Sequence, residues 1–147
     1  MPNQYFEGVL QLRNPNPELY AYVKKAIKDR KGIWVAKEIP QKDGTDLYLS
    51  SQRFLQVIGK RLNEDFIGQL KVSNRLFSKN HLTSRNVYRI NVLFRLAAFK
   101  RGDEAEVLGR QVKILAVKRL VQVQDIKNGE KFAVPFDRVQ AAANKKK

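Results

Sequence analysis

The chain has 147 residues, and its 29 Lys and Arg against 14 Asp and Glu leave a formal net charge of +15. That balance favours a phosphate-rich partner over an acidic small substrate, and 43% hydrophobic residues are ample for a folded core. The sequence has no Cys, which excludes disulfides and thiolate-held zinc in these residues and fits a reducing cytoplasm, the expected location. The most apolar run, residues 90–99, is broken by Arg95 and is at best half a membrane span, so no membrane partner is expected.

Residues 5–13 alternate Phe6, Gly8, Leu10 and Leu12 against Tyr5, Glu7, Val9, Gln11 and Arg13, which predicts a half-buried strand. Asn14-Pro15-Asn16-Pro17 stops it. Asn16 suits an N-cap and Pro17 a first helical position, and Leu19, Tyr22, Val23, Ala26 and Ile27 then form one apolar stripe up to Gly32. Strands are expected from Ile33 and from Thr45, joined through residues 40–44 with Asp43-Gly44 as the turn signal. Ser50 or Ser51 caps a helix over 52–65 that turns Phe54, Leu55, Ile58 and Leu62 inward.

The stretch 66–102 holds eight basic residues and no acidic one. It reads as a hairpin. Leu70 and Val72 alternate with Lys71 and Ser73 on one arm; Tyr88, Ile90, Val92, Phe94 and Leu96 alternate with Arg89, Asn91 and Arg95 on the other. Residues 74–86 lack Gly and Pro and are expected as a projecting cationic loop that a polyanion could order. The order strand, helix, strand, strand, helix, strand, strand predicts an α+β layer in which two helices cover one face of an antiparallel sheet and leave the other open.

Beyond Ala97-Ala98 the pattern changes to short strands beginning near Ala105, Gln111, Leu120 and Lys131. Their turns are marked by Gly102-Asp103, Gly109 and Asn128-Gly129, the last a two-residue hairpin signal. A small all-β SH3-like barrel is expected, too small to be stable alone. The boundaries are thus an RNA-binding α+β domain at 1–98, a barrel at 99–141 and a basic tail at 142–147, the last stretch being frayed or a short helix.

Lys71, Arg75, Lys79, His81, Arg85, Arg89 and Arg95 are the candidate RNA contacts, acting through phosphates. Trp34 and Tyr48 are expected on neighbouring strands as candidate stacking residues for RNA bases, the alternative being that Trp34, like most strand Trp residues, belongs to the core. His81 has no Asp or Glu within fifteen residues on either side to orient it as a base. The acidic cluster Asp103, Glu104 and Glu106 reads as a solvated strand edge rather than a metal site, and neither G-x-x-x-x-G-K nor G-x-G-x-x-G occurs. No enzyme activity, cofactor or small-molecule substrate is expected.

The order of elements, with Q-R-F-L-Q-V-I-G-K-R-L and Q-L-K-V-S…V-Y-R-I-N-V-L-F-R-L, resembles the eukaryotic large-subunit ribosomal protein twenty-two. Y-F-E-G-V-L-Q-L-R-N, D-L-Y-L-S-S-Q-R-F-L and L-K-V-S-N-R-L-F-S-K-N-H-L-T-S-R-N-V-Y-R-I-N-V-L-F-R resemble, more broadly, the archaeal branch of the large-subunit export adaptor family, the nonsense-mediated-decay protein "three". That resemblance implies a domain like ribosomal protein twenty-two followed by an SH3-like domain resembling the hypusine-containing translation factor. It implies a scaffold that binds the large ribosomal subunit near the transfer-RNA sites during maturation. Its partners would be rRNA together with ribosomal proteins or other assembly factors. The family's N-terminal module with paired C-x-x-C zinc motifs has no counterpart in this Cys-free sequence. A general RNA- or DNA-binding module not tied to the ribosome is the alternative reading.

Overall fold

A computed structural model of the chain describes residues 5–80 and 85–145, and the side chains of 5–74 and 89–143. The contacts divide it into two units, Met1–Phe66 with Leu70–Leu96, and Ile67–Gln69 with Ala97–Lys147.

In the first unit, β1 (Gly8–Arg13), β2 (Val35–Gln41), β3 (Gly44–Leu49), β4 (Gly68–Asn80) and β5 (Arg85–Leu96) form a sheet ordered β2-β3-β1-β5-β4. Helices α1 (Pro17–Asp29) and α2 (Gln52–Asp65) begin where the sequence places them. The Leu19 N–H donates to Asn16 Oδ1 at 2.7 Å and the Phe54 N–H to Ser51 Oγ at 3.1 Å, satisfying amides that the first helical turn leaves orphaned. Leu19, Val23, Ala26 and Ile27 of α1 and Phe54, Leu55, Ile58 and Leu62 of α2 pack with Leu10, Leu12, Leu47, Leu49, Ile90, Val92 and Phe94 into one core. Because side chains alternate across a sheet, the residues between these point to the face without helices.

Three features of this unit depart from expectation. The sheet is mixed, since β1 pairs with β3 antiparallel but with β5 in parallel, a pairing that needs a long crossover and receives one from residues 14–84. The stretch 74–86 is mostly strand: β4 runs to Asn80 and β5 starts at Arg85, which is consistent with its lack of Gly and Pro. Val72 of the edge strand β4 is 54% exposed although it continues the alternation of Leu70, which packs against the core.

The turn between β2 and β3 is Lys42-Asp43, one residue earlier than the Asp-Gly signal, with Gln41 opposite Gly44. Gly44 is needed for approach: a Cβ there would lie 1.8 Å from the Leu12 carbonyl oxygen. Pro40 is tolerated inside β2 because β2 is the other edge strand.

In the second unit, β6 (Glu104–Val107), β7 (Arg110–Val117), β8 (Val121–Asp125) and β9 (Lys131–Val134) form an antiparallel meander in chain order, followed by α3 (Phe136–Lys145). Phe99, Val107, Val112, Ile114, Val121, Val123, Val134, Phe136 and Val139 make its core. The strand expected through Phe136 ends at Val134, since Pro135 has no N–H for the ladder. The Pro135 carbonyl instead accepts the Arg138 N–H at 3.2 Å as the helix begins. α3 therefore takes in residues 142–145 of the expected tail, and Phe136, Val139 and Ala143 are its inward stripe.

The two-residue hairpin expected at Asn128-Gly129 is a five-residue connection, 126–130. The Asp125 carboxylate directs it, accepting the Lys127 N–H at 2.7 Å and the Asn128 N–H at 3.2 Å while Arg110 Nε donates to its other oxygen at 2.6 Å. Among the described residues no helix is long and apolar enough to cross a membrane, and no three His, Cys, Asp or Glu side chains are grouped as metal ligands.

Candidate nucleic-acid interface

The helix-free face of the first unit's sheet gathers Lys37 of β2, Tyr48 of β3, Val9, Gln11 and Arg13 of β1, and Arg89, Asn91, Leu93 and Arg95 of β5. In register, Val9 lies between Tyr48 and Asn91, and Arg13 between Gly44 and Arg95. Lys37 reaches this face through an irregularity in β2. Val35 pairs with Leu49, but Lys37 pairs with Tyr48, so Ala36 is an extra, bulged residue. Without the bulge Lys37 would stand opposite Leu47, on the core side. A one-residue slip reverses every side chain after it, and so Glu38 faces the helices, where it accepts from Tyr20 Oη at 2.5 Å and pairs with Lys24 Nζ at 2.8 Å. The bond from Lys24 holds the Glu38 carboxyl below its ordinary range, with the Tyr20 bond acting in the same sense.

Aromatic rings hold the cations of this face. Lys37 Nζ is 4.3 Å from the Tyr48 ring centroid and 5.8 Å from that of Phe6. Arg89 Cζ is 3.8 Å from the Phe6 centroid, and Phe6 meets Tyr48 edge-on at 4.9 Å and 86°. Such cation–ring contacts contribute about 0.5–2 kcal/mol. They fix Lys37 and Arg89 in place on this face. Glu7, nearby in sequence, is engaged elsewhere, accepting the Gln52 N–H at 2.8 Å and Tyr5 Oη at 2.5 Å. A guanidinium laid on a ring can donate to phosphate and offer a plane to a base, and Tyr48 and Phe6 are rings of the kind on which unpaired bases stack. Arg13 is different: it is paired with Asp46 at 2.8 Å and Asp43 at 3.6 Å.

Of the residues singled out in the sequence, Arg89 and Tyr48 fall in this cluster, and Arg95 stands six residues further along β5 on the same face. Lys71 lies on β4 between Ser73 and Gln69, exposed. Arg75, Lys79 and Arg85 lie on β4 and β5, with side chains outside the described set, and His81 lies outside the described residues. Trp34 is not on a strand. It sits one residue before β2, its Nε1–H donates to the Tyr5 carbonyl at 3.1 Å, and its ring lies 6.4 Å from that of Tyr5. Trp34 and Tyr48 are thus each paired with a different aromatic of the N-terminal segment rather than with each other. Phe6 and Lys37 were missed in the sequence, since only the bulge brings Lys37 to this face.

Compared with known families, residues 5–96 match the model described as NMD3, second domain. A comparison with curated proteins finds no significant match.

Proposed function

The chain belongs to the NMD3 family, and on that premise we propose that it is a non-catalytic rRNA-binding factor acting on the large ribosomal subunit during assembly or maturation, near the transfer-RNA sites. The observation that carries this reading is the stretch from Phe66 to Leu96, with six Lys and Arg and no carboxylate, folded as β4 and β5 beside the Lys37–Tyr48–Phe6–Arg89 cluster. A run of one sign of charge along the sequence is the footprint of a phosphate backbone, and the rings add a place for an unpaired base. Lys71, Arg75, Lys79, His81, Arg85, Arg89 and Arg95 are proposed as the contacting residues. The first unit is read as the domain like ribosomal protein twenty-two, and the four-stranded second unit as the SH3-like part. Ribosomal proteins or other assembly factors would be its further partners in the cytoplasm.

Sedimentation with purified large subunits, small subunits and duplex DNA at one salt concentration tests the reading. Preferential retention on large subunits supports it. Equal retention on all three favours a general nucleic-acid-binding module.

A further inference from the structure

On the helix layer of the same unit, Tyr22, Lys25, Ala26, Asp29, Arg30 and Arg61 line a cavity of 290 Å³ between α1 and α2. Three cations and one carboxylate share it. Arg61 Cζ lies 5.3 Å from the Tyr22 ring centroid, and Tyr22 is itself fixed, donating from Oη to Asp65 at 2.5 Å and meeting Phe66 edge-on at 5.3 Å. Arg30 Cζ lies 5.8 Å from the Phe54 ring. Among the described residues neither guanidinium, nor Lys25, is paired with a carboxylate. The carboxyl end of α1 attracts Lys28 and Arg30 through its dipole, but that does not account for Arg61, in the second half of α2.

We propose that this cavity binds a phosphodiester of RNA, giving the unit a second contact on the side away from the open sheet face. Guanidiniums positioned by rings keep their donors for a ligand, and Arg matches phosphate oxygens in a planar fork. The cavity of 290 Å³ has room for a backbone phosphate between these cations. The inference rests on the RNA-binding reading but uses residues outside the sheet face. It makes the unit a bridge between two RNA segments.

The Arg Nε–Hε resonances of the full chain, followed by NMR during addition of a tetrauridylate RNA, test it. Those of Arg30 and Arg61 should move and saturate, and Arg61→Gln should weaken the response at Arg30 about tenfold while Arg89 still responds. Lys25→Gln should weaken it too, without touching the ring contact of Arg61. Movement at Arg89 with none at Arg30 and Arg61 would overturn the cavity and leave the sheet face standing. Movement at Arg30 and Arg61 with none at Arg89 would support the cavity and remove the sheet face. An equal response to inorganic phosphate or to polyglutamate at matched charge would overturn the assignment to an RNA phosphodiester.

Discussion

Lys37 stands opposite Tyr48 with its Nζ 4.3 Å from the ring centroid, and the bulge at Ala36 is what puts it there. The pair combines the two ways of holding a single strand, charge for the backbone and a ring for the base. The two contributions separate by their response to salt. Lys37→Gln should reduce the slope of log affinity against log salt by about one, whereas Tyr48→Ala should lower affinity for single-stranded RNA about tenfold and leave the slope unchanged. Trp34, the sole Trp, lies against Tyr5 beside this face and serves as the fluorescence reporter.

Gly44→Ala should destabilise the first unit by about 3 kcal/mol, the upper end of overpacking costs, because the added Cβ meets backbone that cannot rotate away. Urea denaturation reads the change. A midpoint equal to that of the native chain would show that β1 and β3 separate more easily than their register implies.

Leu108 and Gly109 connect β6 to β7 with φ of 56° and 74°, and Leu108 is 60% exposed. A branched side chain in the left-handed region costs about 1–2 kcal/mol, while Asn-Gly is the preferred pair for such a turn. Leu108→Asn should therefore raise the stability of the second unit by about 1 kcal/mol in thermal denaturation. A lowered midpoint would mean that the leucine side chain stabilises the fold by more than its backbone conformation costs.

The Arg110 guanidinium holds the Asp125 carboxyl below its ordinary range, helped by the Lys127 and Asn128 amides and opposed by burial. The folded-state pKa is thus below the unfolded value of about 3.9, so the contribution is complete above about pH 5 and fades as pH falls through the folded value. Arg110→Met should lower the thermal midpoint of the second unit at neutral pH. That deficit should shrink below about pH 4. A deficit independent of pH would show that Arg110 acts through its packing on the Phe132 ring, 4.5 Å away, and not through Asp125.

Where local chemistry decides, the fold was legible. Asn16 and Ser51 cap the helices named for them, and the apolar stripes of α1 and α2 are the ones that the period of 3.6 picks out. What depends on distant strands was not. No local signal tells β1 to pair in parallel with a strand more than seventy residues later, or Ala36 to bulge. The Asn128-Gly129 signal was real, since Gly129 has φ of 75°, but the side chain of Asp125 set the loop length. α3 was available in the spacing of Phe136, Val139 and Ala143 and was obscured by reading Phe132 to Phe136 as one strand. For the site, the charge run marked β4 and β5. Phe6 and Lys37 carry no mark beyond their residue types, because residues 6, 37, 48 and 89 meet only in the folded sheet.

The most direct test of the central claim, that this cationic sheet face grips the phosphate backbone of the large subunit, is the salt dependence of binding to purified large subunits. The native chain should show log affinity falling linearly with log salt. Lys71→Ala with Arg89→Ala should reduce that slope by about two and weaken binding at every salt concentration, with the circular dichroism spectrum unchanged. An unchanged affinity and slope in the folded double variant would contradict the account and move the contact surface elsewhere.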